Sequence, residues 1–515
     1  MTARLARRIL TASATMVAAA VALAGCYLIP MPDQSSAPHR SPTPITDGVA
    51  EDLLSFYQQT LDWAACGEGF DCTTVTAPLD WSDPDAGTID LSVIRHAATG
   101  GEPLGSLLTN PGGPGASGVD LVRDSLGFAV GQALEENYDV IGFDPRGVGK
   151  STAVTCLDAA GMDSFVFDIP PGQRRSAEWD AFVTEQQQEF AAACEQNSNG
   201  ILPFITTGNA AQDMDLLRAV LGDEKLNYLG YSYGTFLGAT YAKHYPDRVG
   251  RLVLDGAIDP SLSGLDVSTQ QAIGFENALR AYMASCVGQS DCPFSGSVDE
   301  AMGDLAILLA SVDRDPIRNS DGRMLGADSL VTAIVTALYA EESWPYLTQA
   351  LTDVLRGNPS TAFTLADFYY NRQGGQYLDN STEAFLTYNC MDYPDGETDA
   401  ERAASQAAIA QQAPTIAPYW EGVDLCDVWP YAPTGVREPI AAAGAEPIVV
   451  IGTTGDPATP YDWSVALAEQ LESGVLITRV GEGHTGYNKG NTCVDDAVEA
   501  YFIDGIVPAE GLVCE

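Results

Sequence analysis

Residues 226–246 read LNYLGYSYGTFLGATYAKHYP, and their reading decides the fold. A short apolar run, Leu226 to Leu229, meets Gly230-Tyr231-Ser232-Tyr233-Gly234, after which small residues recur on a helical period. This is the G-x-S-x-G pattern in the setting that gives it meaning: strand, sharp turn, helix. The paired glycines let the backbone pinch tightly enough to hold Ser232 in strained geometry, its hydroxyl clear of the sheet. Gly234, Gly238 and Ala239 allow the following helix to lie close to its neighbours. The pattern alone would fit a surface turn equally well. The strand before it and the helix after it make Ser232 a candidate nucleophile.

Working outward, the same alternation repeats on both sides. Upstream, Gly105-Ser106-Leu107-Leu108-Thr109 reads as a buried strand and leads into Asn110-Pro111-Gly112-Gly113-Pro114-Gly115. A helix over about 117–127 and a strand over 138–143 follow, the latter closed by Asp144-Pro145-Arg146-Gly147-Val148-Gly149. Strand, glycine loop, helix, strand is the signature of a parallel α/β sheet. Earlier still, 51–66 reads as a short amphipathic helix and TTVTAPLDW (73–81) as extended chain. Residues 83–87 read as a turn, and 89–95 alternate as a strand. Residues 156–205 form a Gln-rich helical excursion, and Met214, Leu217 and Leu221 mark the helix that leads into the elbow strand. Beyond the elbow, 249–254 is another strand, ending Asp255-Gly256-Ala257-Ile258-Asp259-Pro260.

From about residue 265 to 425 helical patterns replace alternating strands and aromatic residues accumulate, which predicts an inserted helical cap. The sheet resumes at 447–451, whose loop holds Gly455-Asp456-Pro457-Ala458-Thr459-Pro460. A helix over 462–473 and a last strand over 474–480 follow, ending in Gly481-Glu482-Gly483-His484-Thr485-Gly486. The expected division is therefore 51–264 and 426–515 for the sheet-bearing core, with 265–425 as the lid.

Two nucleotide-binding look-alikes lie near the first glycine loop. Residues 113–118 fit G-x-G-x-x-G, but Pro114 removes an amide that should cradle phosphate. Residues 147–151 resemble the end of a P-loop, but Asp144 stands where its first glycine belongs.

A serine nucleophile needs a base to take its proton and an acid to orient that base. The chain has four histidines. His39 lies in a Pro/Ser-rich stretch, His96 ends an early strand, and His244 sits in the elbow helix. His484 alone occupies a glycine-flexed loop after a late strand, and the order nucleophile, acid, histidine is that of α/β-hydrolases. The acid is Asp456, after the penultimate strand, or Asp255, after the strand that follows the elbow; the former is the usual place. Thr459 is placed to steady the Asp456 loop or to cap a helix. The amides of Tyr233 and Gly113 are the expected oxyanion donors. No metal or cofactor is required.

Taken together, NPGGPG, DPRGVGKS, GYSYG, VLDGAIDP, GDPATP and GEGHTGY resemble the tripeptidyl aminopeptidase family of actinobacterial α/β-hydrolases, relatives of the proline iminopeptidases. The likeness runs through nearly the whole mature chain, cap included. It implies a serine exopeptidase that releases short peptides, often tripeptides, from free N-termini, with peptides or proteins as substrates. It also implies acidic groups under the cap to hold the substrate ammonium. Asp392, beside Cys390, is the candidate here, with Glu341 and Glu342 as further ones. Pro111 stands where iminopeptidases usually carry histidine, so their proline specificity does not transfer. A carboxylesterase or lipase would use the same three residues.

Composition sets the surroundings. Arg4, Arg7 and Arg8 precede an apolar stretch over 9–24 that is short for a membrane span, and Leu23-Ala24-Gly25-Cys26 resembles a bacterial lipobox. Residues 1–25 are thus expected to be removed and Cys26 to carry lipid. The stretch up to residue 50 would serve as a tether on the outer face of a membrane. Loss of the three arginines takes the formal charge from −45 to −48. Such a surface repels nucleic acid and anionic membrane, leaving the lipid anchor as the membrane contact. With Cys26 lipidated, ten of eleven cysteines remain, and export predicts five disulfides. Sequence does not fix connectivity. Pairing of neighbours is the expectation: Cys66 with Cys72, Cys156 with Cys194, Cys286 with Cys292, Cys390 with Cys426, Cys493 with Cys514. A monomer is expected.

Overall fold

Parallel strands covered on both faces should be buried along their length, and the chain's central strands are. In the computed structural model, which describes residues 42–394, 396–420 and 424–515, Ser106–Asn110 (β4) is buried at every position. Leu226–Tyr231 (β6) is buried at all but one. The sheet also contains Ala64–Gly67 (β1), Phe70–Asp80 (β2), Asp83–His96 (β3), Asp139–Phe143 (β5) and Val249–Asp255 (β7). Ile448–Gly455 (β8), Gly474–Glu482 (β9) and Leu512–Cys514 (β10) complete it. The spatial order is β1-β2-β3-β5-β4-β6-β7-β8-β9-β10. Pairings from β5 through β10 are parallel, and those among β1, β2, β3 and β5 are antiparallel.

Alternate residues of the central strands feed two cores. Tyr228, Leu252, Leu254 and Val450 face the helices Thr207–Val220 (α2), Tyr233–His244 (α3) and Tyr461–Gln470 (α7). Leu229, Val253, Val449 and Ile451 face Gly118–Ala129 (α1) and Thr492–Asp504 (α8). A third core lies within the helical segment. There Gly264–Cys286 (α4), Ala327–Leu338 (α5) and their neighbours bury Leu279, Leu305, Ile334, Leu338 and Phe363 against one another. Ser381–Asp392 (α6) instead packs Ala384, Tyr388 and Met391 into the core shared with the elbow helix. Thr43–Glu515 form one compact unit.

Three local readings differ from the structure. The helix expected over 51–66 ends at Tyr57, and Ala64–Gly67 form β1 instead. The hairpin of β2 and β3 turns at Trp81-Ser82, because the Asp80 carboxylate accepts from both the amide and the hydroxyl of Ser82 (2.8 and 2.7 Å). Residues 83–87, expected as the turn, therefore belong to β3. Nor is 474–480 the last strand: β10 adds to its edge, with Cys514 bridged to Cys493 on α8. The other disulfides join Cys66 to Cys72, Cys156 to Cys194, Cys286 to Cys292 and Cys390 to Cys426. Among the described residues no helix is long and apolar enough to cross a membrane. The expected signal segment, Cys26, His39 and most of the tether lie outside the described residues.

Candidate active site

Ser232, Asp456, His484 and the glycine loop at 112–113 stand at the carboxyl ends of the parallel strands. Ser232 follows β6 and precedes α3 with φ 55° and ψ −121°, a left-handed conformation that non-glycine residues seldom adopt. Its amide donates to the Asp255 carbonyl (2.9 Å). Its carbonyl accepts from the Thr235 hydroxyl (2.6 Å), which in turn accepts from the Ile258 amide (2.9 Å). The strained elbow is thus tied to the loop after β7, which holds the strain in place.

Gly112 makes the closest approach to the elbow. A β-carbon there would fall 2.6 Å from the Tyr231 carbonyl and 2.8 Å from Ser232 Cβ, with the Tyr233 amide 3.2 Å away. Its own amide donates to Asn110 Oδ1 (3.0 Å). The glycine loop therefore lies directly over the start of α3. The Tyr233 amide is among the first-turn donors a helix leaves unpaired, at the positive end of the helix dipole. Gly113 continues this loop with φ 106°. Just past β5, Asp144 accepts from the Ser117 hydroxyl, the Val119 amide and the Lys150 amide. The nucleotide look-alikes are thus bound to each other.

His484 and Asp456 meet. The imidazole Nδ1 lies 2.9 and 2.8 Å from the two oxygens of Asp456. Those oxygens also accept from the Ala458 and Thr459 amides (2.9 Å each), the Thr459 hydroxyl (3.0 Å) and the Thr485 amide (3.2 Å). Five donors converge on one buried carboxylate and fix its orientation. The second ring nitrogen, Nε2, is buried without a hydrogen-bond partner. The ring's Cε1 edge faces Gly256, where a β-carbon would fall 3.1 Å away. The Asp255 carbonyl just before it holds the Ser232 amide, so the chain at 255–256 borders both the elbow and the imidazole.

The other acid, Asp255, does not bond the imidazole. Its oxygens accept from the Gly486 amide (2.8 and 3.0 Å) and the Tyr487 amide (2.8 Å). Full burial pushes its carboxyl up to about 6, against those hydrogen bonds. Asp392 is likewise enclosed, 3% exposed. One oxygen accepts from the Thr207 amide (2.9 Å), the other from the Thr207 hydroxyl (2.6 Å), which also meets the Tyr233 phenol at 2.6 Å. Burial raises its carboxyl to about 6. It ties α6 to the start of α2 and braces the elbow. Glu341 and Glu342 are exposed. Glu341 acts on Glu482, two residues before His484, whose carboxyl is raised by burial and by that neighbouring charge. Sequence reading passed over Glu482, as it did Thr235; only the fold brings their partners to them.

The remaining histidines stand apart. His96 Nδ1 lies 3.2 Å from the Gly69 carbonyl. Burial and Lys243 push the His244 ring down.

Residues 413–514 match the family model described as TAP-like protein. The chain is 34% identical to serine protease Hip1 of Mycobacterium tuberculosis over 481 residues, covering 88% of this chain and 91% of that one. It is 36% identical to carboxylesterase B of the same organism over 451 residues, covering 86% of each. It is 28% identical to tripeptidyl aminopeptidase of Streptomyces lividans over 474 residues, covering 88% and 86%.

Proposed function

Because the chain belongs to the tripeptidyl aminopeptidase family of α/β-hydrolases, we propose that it is a serine exopeptidase that releases short peptides, tripeptides among them, from free N-termini. The observation that carries this reading is the imidazole held by Asp456 on one edge, with its other nitrogen buried and unpaired. His484 Nε2 takes the proton of Ser232 as its oxygen attacks the scissile carbonyl. The tetrahedral oxyanion is met by the amides of Tyr233 and Gly113. His484 then passes its proton to the leaving amine, and water resolves the acyl-enzyme by the same steps in reverse. Asp456 keeps the proton-bearing Nδ1 turned to itself and stabilises the imidazolium.

An ammonium anchor is expected among the acidic groups near the site, Asp392, Glu341 and Glu342; Glu482 adds a further carboxyl there, its charge partly offset by Arg479. Five disulfides among the described residues support an oxidising, extracellular location, with the chain held to the membrane through lipid on Cys26. Likeness to carboxylesterase B supports a second reading, an esterase with the same three residues.

One experiment separates these. A tripeptide amide reporter is offered with a free and with an acetylated N-terminus, beside a short-chain nitrophenyl ester. Turnover of the free amine form alone is expected. Equal cleavage of both peptides would make the protein an endopeptidase, and ester turnover alone would make it an esterase. Ser232→Ala should lower turnover by roughly 10⁶-fold with the fold intact; full activity in that variant would overturn the scheme.

A further inference from the structure

Tyr339 stands at the C-terminal end of α5, in the helical segment, yet it touches the histidine loop in three ways. Its carbonyl accepts from the His484 amide at 2.8 Å. Its ring meets the imidazole edge-on, centroids 5.4 Å apart and planes at 84°. At Gly483, whose φ is 94°, a β-carbon would fall 3.2 Å from the Tyr339 carbonyl and 3.5 Å from Ala340 Cα. The histidine loop can lie this close to the helix end because the residue before His484 has no side chain.

The imidazole needs such a partner. Asp456 holds it through Nδ1 alone, and a contact at one edge leaves the ring free to swing about that edge. Gly256 bounds the Cε1 side. An aromatic ring packed at right angles closes a further direction. Tyr339 is itself braced from behind by Phe275 of α4 (centroids 5.8 Å), so the restraint is anchored in the core of the helical segment.

We propose that Tyr339 is a positioning residue: carried on α5, it holds His484 with Nε2 turned to Ser232, so that the base is aligned only while α5 is seated against the sheet. The inference rests on the catalytic reading of Ser232, His484 and Asp456. It couples the helical segment to the proton-transfer step as well as to substrate access.

The test compares wild type, Ser232→Ala, Tyr339→Ala, Tyr339→Leu and Tyr339→Phe. Each is assayed for kcat and KM on the free-amine tripeptide amide and for the rate of covalent labelling by a fluorophosphonate. Circular dichroism selects folded variants. Tyr339→Leu, which fills the space without an aromatic edge, stands in if the alanine variant does not fold. Misaligning the base should lower kcat and labelling together by about a hundredfold, with KM little changed. Tyr339→Phe, which keeps the ring edge, should restore both to within about twofold of wild type. Unchanged kcat and labelling in a folded alanine or leucine variant would overturn the proposal, as would a loss confined to KM. Failure of Tyr339→Phe to rescue would overturn it too. Absence of Ser232 labelling in the wild type would instead overturn the catalytic reading, and this inference with it.

Discussion

Asp255 and Asp456 end neighbouring parallel strands, and both grip the loop that carries His484. They do so with different results. Asp255, paired across the sheet with Ile451 of β8, spends its oxygens on the amides of Gly486 and Tyr487. It sets the path of the loop. Asp456, just past Gly455 at the end of β8, takes the imidazole itself and uses four further donors to hold its own carboxylate still. It aims the ring. Two acids one strand apart thus divide into one that shapes a backbone and one that orients a side chain. The division follows from which atoms of the loop each can reach, and strand position alone does not predict it.

The largest expected effect is on the aiming acid. Asp456→Asn should lower kcat by about 10⁴-fold while leaving the unfolding midpoint near wild type, because an amide stabilises the wrong imidazole tautomer. A loss under tenfold would end the distinction. Next comes the shaping acid. Asp255→Ala strands two buried amides and should cost about 2–4 kcal/mol in denaturant unfolding, with kcat per folded molecule falling less than in Asp456→Asn. Thr459→Val removes one donor to the aiming carboxylate. It should lower kcat between about ten- and a hundredfold, in line with the loss of a hydrogen bond to a charged group.

The smallest effect is a pH dependence. Asp255 has its carboxyl raised from 3.8 to about 6 in the fold. The folded state therefore holds a proton that the unfolded chain has released, and this group's contribution to stability falls as pH rises through that window. Asp255→Asn lacks this term. Its deficit in melting temperature against wild type should be widest near pH 4 and narrow by pH 7; a constant deficit would show that Asp255 does not titrate there.

Much of this was legible because the signals are local. The elbow, the glycine loop before it and the loop of His484 each combine a strand, a turn and small residues within a few positions, and steric rules leave them few alternatives. Asp255 and Asp456 could be nominated but not assigned, since both end strands of the same sheet and differ only in partners from a distant loop. The surroundings of Asp392 were hidden for the same reason: its partner Thr207 lies far away in sequence, and nothing beside Asp392 marks it as enclosed. Tyr339 carries no local signal at all. It is one tyrosine in an aromatic-rich segment, and its meeting with His484 exists only once α5 is docked.

The disulfide from Cys390, in α6, to Cys426 closes a stretch of chain with sequence separation 36. Within it the helix Asp399–Gln412 buries only Ser405 and Ile409. For a protein proposed to work outside the cell among other peptidases, that stretch is an inviting place to be cut. A nick there would not set a fragment free. Both pieces would migrate as one chain until reductant was added, so damage would stay hidden on a non-reducing gel and show there only when the sulfurs part.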